Sequence, residues 1–247
     1  MTDQEHNLTE RLAAMIALKL SNGPLLVAVS GKDGSGKTYL ANQLAGKLRA
    51  HTKREIIRIS IDDFMNERTA RKQNPDQAVG CYEDTFNLDA FEALALQPLK
   101  SGTRRYTNKV FDYASDTPEQ QPHFEIDQAD AIVIIDGVFL YQDRLNDYWD
   151  VRLQLEANED ILIERGAQRD TGRKGSYESA IQAYCERYMP SQQFYYKTEV
   201  PLEKADVIID VNIRGYPVIT ALREGDFKKS LQNLLQNHSE SSIVKRS

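Results

Sequence analysis

Apolar residues at Leu8, Leu12, Met15, Ile16 and Leu20 recur at the three- and four-residue spacing of an amphipathic helix, and Thr2-Asp-Gln-Glu5 ahead of them has the form of a capping box. Ser21-Asn-Gly-Pro24 ends that helix. Five short apolar runs rich in β-branched residues follow, each bounded by turn or polar residues: Leu25 to Val29, Ile56 to Ile61, Ala131 to Ile135, Val151 to Leu155 and Val207 to Ile209. Such runs suit strands covered on both faces of a parallel sheet. Helical segments are expected between them, at Lys37 to Arg49, Asp89 to Leu96, Glu159 to Arg169 and Ser176 to Arg187, so the pattern predicts a three-layer α/β domain. The stretch from about 66 to 124 is less regular and carries Pro75, Pro98, Pro118 and Pro122, which marks it as an insert outside the sheet. A last helix is expected from about Arg223 to Gln236, and His238 to Ser247 reads as a frayed tail.

At 247 residues this pattern fits one domain over 1–237. The chain has 31 Lys and Arg against 37 Asp and Glu, a formal charge of −6, which argues against a nucleic-acid or anionic-membrane binder because both attract clustered cations. No apolar run approaches the ~20 residues that span a bilayer, and acidic residues ahead of Leu12 to Leu20 argue against a signal peptide. Two cysteines, Cys81 and Cys185, give neither a disulfide framework nor a CxxC pair, so the expected location is the reducing cytoplasm.

Local chemistry is more specific. Gly31-Lys-Asp-Gly-Ser-Gly-Lys-Thr38 fits G-x-x-x-x-G-K-[ST] directly after an apolar run and directly before a helical one, the context a triphosphate-binding loop requires. Glycines at 31, 34 and 36 let successive N–H groups turn inward, and the helix N-terminus adds partial positive charge. Lys37 is expected to reach the terminal phosphates and Thr38 to place its hydroxyl on a magnesium ion. The nucleotide side is thus Gly31, Asp33, Gly34, Ser35, Gly36, Lys37, Thr38 and Tyr39, with the Lys32 and Asp33 side chains facing solvent.

Carboxylates stand where strands end, the ligand edge of such sheets. Asp62 reads either as a general base for an acceptor hydroxyl or as the cap of a short helix. Asp136, before Gly137, reads as the acid on the magnesium side, with a strand-end cap as the alternative. Asp210 reads as structural. Arg165, Arg169 and Arg173 fall at i, i+4 and i+8, with Lys174 beside them. That is either a basic lid over a transferring phosphoryl group or a solvated face partnered by Glu164 and Asp170.

Taken together, GKDGSGKT at Gly31 to Thr38, IDDF at Ile61 to Phe64, VFDY at Val110 to Tyr113, IDGVFL at Ile135 to Leu140, ERGAQRDTGRKG from Glu164 to Gly175 and KADVII from Lys204 to Ile209 resemble the uridine kinase-like P-loop nucleoside kinases, relatives of phosphoribulokinase and bacterial pantothenate kinase. The resemblance implies a P-loop NTPase fold with a five-stranded parallel sheet in the order 2-3-1-4-5, a lid over about 164–176, and Mg²⁺-dependent phosphoryl transfer from ATP to a hydroxyl. It makes Asp62 the catalytic carboxylate and moves Asp136 toward magnesium. Arg169 matches a lid arginine, and Gly166 stands where the family often has another, leaving open whether Arg165 substitutes; Arg165 and Arg173 go with the nucleotide, Arg169 and Lys174 with the acceptor. The acceptor segments depart from the family: Thr85-Phe-Asn-Leu-Asp-Ala-Phe91 replaces its FDHPDAFD with Asp84 displaced, and Phe111 and Asp116 stand where Tyr and His of YDFxSH help read a base. Tyr82, Asp84, Phe111, Asp112 and Tyr113 are expected to line the acceptor pocket. A small-molecule acceptor follows, a nucleoside first, with a pantothenate-like or sugar-phosphate-like alcohol, or a nucleotide-dependent switch, as alternatives. Asn108-Lys109-Val110-Phe111 misses the guanine-reading N-K-x-D. Assembly as a homo-oligomer is compatible with all of this.

Overall fold

The computed structural model describes residues 2–119 and 123–223. The expected last helix beyond Arg223 and the polar tail lie outside them. Helix α1 (Asp3–Leu18) begins at its capping box: the Glu5 N–H donates to Thr2 Oγ1 at 3.2 Å and the Thr2 N–H to the Glu5 carboxylate at 2.9 Å. It ends before the apolar stripe does. Lys19 is already extended, and Leu20, counted in the stripe, is 93% exposed.

Strands β1 (Leu25–Gly31), β2 (Ile56–Ser60), β3 (Ile132–Gly137), β4 (Val151–Glu156) and β5 (Val207–Asp210) are parallel and lie side by side as β2-β3-β1-β4-β5, the order 2-3-1-4-5. A sixth strand, β6 (Val218–Leu222), pairs antiparallel with β5 and corrects the expected count of five. Its residues are exposed or half-buried, so no buried run marks it in the sequence.

Every residue of β1 and β3 is buried, and their alternation assigns two cores. Leu25, Val27 and Val29 pack with Leu12 and Ile16 of α1 and with Leu40, Leu44 and Leu48 of α2 (Lys37–His51). Leu26 and Ala28 face the other way, among Phe91, Leu96, Leu99, Trp149 and Tyr195.

The second layer is built from α3 (Arg68–Arg71), α4 (Gln77–Glu83), α5 over 88–100, α6 (Glu159–Lys174) and α7 over 177–199. Helices α6 and α7 meet at Gly175, and three helices outrun their expected ends at Leu96, Arg169 and Arg187. Two of them carry an internal proline, Pro98 in α5 and Pro190 in α7, each just after a π turn, Glu92–Leu96 and Tyr184–Tyr188. A proline ring meets the carbonyl four residues back and offers no N–H; the wider turn moves that carbonyl aside, so the helix continues where the sequence predicts a stop. None of the described residues of the 66–124 stretch joins the six-stranded sheet; Arg105–Tyr106 pairs with Phe124–Glu125, and Phe111–Asp112 with Thr117–Pro118.

Leu26→Ala is expected to lower the unfolding free energy by about 2–5 kcal/mol, whereas Leu20→Ala changes it by less than about 0.5 kcal/mol, both read from urea denaturation midpoints.

Candidate active site

The phosphate-loop sequence turns from the buried end of β1 into the first turn of α2. Gly34 there takes φ +83°, and a Cβ on it would lie 2.3 Å from the Leu162 carbonyl oxygen of α6, a backbone atom that cannot swing away. Lys37 Nζ donates to the Lys32 carbonyl at 3.1 Å and stands 3.7 Å from Asp33. The Ser35 hydroxyl is buried in the loop without a hydrogen-bond partner among the described residues. An orphan hydroxyl, a lysine folded back on its own loop and a helix N-terminus together fit the oxygens of a polyphosphate. Tyr39 is on the exposed side of the first turn of α2.

Lys32 and Asp33 do not simply face solvent. Lys32 Nζ pairs with Glu159, in the first turn of α6, at 2.6 Å and lies 4.6 Å from the centre of the Tyr196 ring. Asp33 is held at two points by buried Gln192 of α7: its N–H donates to Gln192 Oε1 at 3.0 Å, and Gln192 Nε2 donates to its carboxylate at 2.8 Å. Nothing in the sequence singles out Gln192. An acid opening a helix is the one cue for Glu159.

Thr38 and Asp136, chosen separately from the sequence, meet: Thr38 Oγ1 donates to Asp136 Oδ2 at 2.6 Å. The other oxygen, Oδ1, takes Arg58 Nη2 at 2.6 Å, and Arg58 also donates to the Ile134 carbonyl at 2.5 Å. Asp136 is buried, so Arg58 supplies the charge it needs. Arg58 escaped the sequence reading, although a cation inside an apolar strand run is the signal that could have found it. A hydroxyl and a carboxylate oxygen side by side fit magnesium, which takes few protein ligands and completes its shell with water and phosphate.

Asp62 lies in the single 3₁₀ turn Ile61–Phe64 that follows β2. Ser60 caps that turn, accepting from the Asp62 N–H at 3.4 Å, so capping is not what Asp62 does. Its carboxyl keeps an open edge but is crowded on its other sides. This desolvation and the charge of Asp33 push its pKa up to about 6, with Asp136 adding to the rise and Lys37 and Arg169 opposing it.

The three arginines of α6 do not share a target. Arg169 makes two bonds to buried Asp170, at 2.9 and 3.2 Å, and Arg173 a third at 2.6 Å, while Arg165 turns away to the carbonyls of Val211 and Asn212 at 2.7 and 2.8 Å. Successive i+4 steps drift around a 3.6-residue helix, and Arg165 is caught by carbonyls beyond β5. Glu164 takes Gln168, at 3.2 Å, and no arginine. Tyr184 completes the cluster, its hydroxyl 3.1 Å from both Asp170 and Arg169. A Cβ on Gly166 would lie 2.2 Å from the Tyr184 ring, so this chain fills with a phenol the space where the resembling family often has an arginine. Lys174 Nζ bonds the Tyr188 hydroxyl at 2.8 Å.

The expected acceptor residues are spread over several environments. Phe111 is buried in the core with the Arg71 guanidinium 5.9 Å from its ring centre. Tyr113 is exposed between Arg71 and Arg173, at 5.9 and 4.9 Å. Asp112 accepts from the Ser115 side chain and N–H at 2.6 and 3.0 Å, bonds that hold its carboxyl down at about 2. The Tyr82 hydroxyl donates to Glu199 at 2.8 Å, and Asp84 is half-buried at the end of α4. Asp116 pairs with Arg71. Asp210 accepts from Asn212 at 2.7 and 2.9 Å, a structural use.

A family model described as Phosphoribulokinase / Uridine kinase family matches residues 26–214. A uridine kinase of Listeria monocytogenes is 25% identical over 230 residues, covering 89% of this chain and all of that protein. A uridine-cytidine kinase A of Dictyostelium discoideum is 25% identical over 90% of this chain and 40% of its own length. Among solved structures, one described as a possible uridine kinase from Bacillus stearothermophilus superposes with TM-score 0.67 at 22% identity, covering 82% of this chain and 97% of that one. A D-glycerate 3-kinase from Cryptococcus neoformans gives 0.59 at 14% identity, covering 89% and 100%. These two share the fold.

Gly34→Ala is expected to cost more than about 1–2 kcal/mol, from its left-handed backbone alone, and to abolish binding of a fluorescent ATP analogue in titration.

Proposed function

The chain belongs to the phosphoribulokinase/uridine kinase family, and from that premise we propose that it transfers the γ-phosphoryl group of ATP to a hydroxyl of a small molecule, with Asp62 as the base. The observation that carries this reading is the setting of Asp62, a carboxyl raised toward neutrality and flanked by Lys37, Asp136 and Arg169 beside the phosphate loop. Asp62 accepts the proton of the acceptor hydroxyl as its oxygen bonds to the γ-phosphorus and the bond from that phosphorus to the leaving ADP oxygen breaks. Lys37 and Arg169 balance the charge that moves to the transferring group and the leaving oxygen. Thr38 and Asp136 would hold magnesium, which when bound neutralises charge on the β- and γ-phosphates. Arg58 keeps the Asp136 carboxylate ionised and oriented.

The corner where α6 meets α7, about residues 164–176, is the lid of this reading, with Asp170 and Tyr184 presetting Arg169. On the acceptor side, the relatives named uridine kinases favour a nucleoside. Burial of Phe111 and pairing of Asp116 with Arg71 favour a different small alcohol, because neither is then free to read a base. No described helix is long and apolar enough to cross a membrane, and the proposed location is the cytoplasm.

An ADP-release assay across nucleosides, pantothenate, sugars and sugar phosphates is the test. At least one alcohol is expected to raise turnover, and Lys37→Ala and Asp62→Asn to lower it by about 100-fold or more; ATP binding without any acceptor-dependent turnover, or an Asp62→Asn rate equal to wild type, would refute the reading. Because Asp62 must be ionised to take a proton, kcat/KM is expected to fall tenfold per unit as pH drops below about 6. That limb should vanish from the residual activity of Asp62→Asn.

A further inference from the structure

Although the whole chain carries −6, the residues beyond the acceptor side of the site are gathered cations. Arg68, Arg71 and Lys72 come from α3 and its end, Lys174 from the last turn of α6 and Arg187 from the π turn of α7. Lys72 stands among the other four, and burial together with their charges holds its ammonium below the usual lysine range. Counter-charge is scarce. Arg71 pairs with Asp116, but Arg187 gives its donors to neutral groups, the Gln77 side-chain oxygen at 2.6 Å and the Arg71 carbonyl at 2.7 Å, and Lys174 bonds a phenol. Arg68 and Lys72 form no side-chain ion pair with any described residue. The Arg187 bond to the backbone of Arg71 ties α7 to α3, so the convergence is fixed by the fold. Arg71 and Arg173 flank Tyr113, and Arg173 is one turn of α6, about 6 Å of rise, beyond Arg169, whose charge acts on Asp62.

Like charges brought together from three elements repel unless an anion joins them, and phosphate or carboxylate oxygens accept strong bonds from just such groups. We propose that this cluster is the anion-binding end of the acceptor site, so that the alcohol phosphorylated beside Asp62 carries a phosphate or carboxylate group at its far end. A neutral nucleoside gives these cations nothing to bind. The proposal rests on the kinase reading above and names the class of its acceptor.

The test uses the full chain with Mg²⁺ and a non-hydrolysable ATP analogue, and measures by calorimetry the affinity for two matched pairs: D-ribose 5-phosphate against D-ribose, and D-glycerate against glycerol. The anionic member of at least one pair is expected to bind tenfold or more tightly than its neutral partner, and which pair responds separates a phosphate from a carboxylate. The double variant Arg68→Gln/Lys72→Gln, whose side chains have no protein partner to lose, should weaken that anion tenfold or more while binding a fluorescent ATP analogue as wild type does. Equal affinity for neutral and anionic members in both pairs, or an anion preference untouched by the double variant, overturns the proposal. Failure of the kinase reading shows elsewhere, as turnover that no acceptor raises and Asp62→Asn does not lower.

Discussion

A phosphate loop must keep a run of peptide N–H groups pointed at one place, and the strand that delivers it cannot help, because every side chain of β1 is spent in the two cores. The restraint comes from the side. Gln192 grips Asp33 through its backbone and its carboxylate at once, and Glu159 draws Lys32 the other way. Both partners belong to the helices that also carry Arg169 and Tyr184, so the shape of the loop and the position of those groups are set by one pair of elements. Because Gln192 is buried, its bonds to Asp33 face little competition from water.

The two carboxylates at the head of the sheet show how similar groups are given different chemistry by their surroundings. Asp136 has one oxygen on Arg58 and the other on Thr38, and its charge is fully answered. Asp62 has no such partners, shares its neighbourhood with Asp33 and Asp136, and takes up a proton more readily. The first arrangement suits a group that stays charged beside a cation; the second suits one that exchanges protons.

Much of this was legible along the chain because it depends on near neighbours. Runs such as Leu25 to Val29 are apolar on both faces, so the parallel strands and their order followed, and the loop motif could be placed between strand and helix. Thr38 and Asp136 were found separately and meet because both sit at carboxyl ends of adjoining strands. Gln192, Arg58 and Tyr184 were not legible, since each acts across 14 or more positions on a partner that only the fold brings near. The arginine triplet looked like one surface because spacing reports a helical face and says nothing of which carbonyls lie opposite; Arg165 found those of Val211 and Asn212. Edge strand β6 left no mark because it is covered on neither side.

The π turn Tyr184–Tyr188 has a consequence for how this chain can change in length. Such a turn holds one residue more than an α-helix needs, so losing any one of the five would leave a regular helix and an intact hydrogen-bond ladder. The cost falls downstream: everything after it would rotate by about 100° about the helix axis. Gln192 would swing off Asp33, and Tyr196 off Lys32, without a single contact residue being altered. The extra residue therefore acts as an angular setting for the far half of α7, and a deletion that secondary structure would tolerate is one the phosphate loop would not.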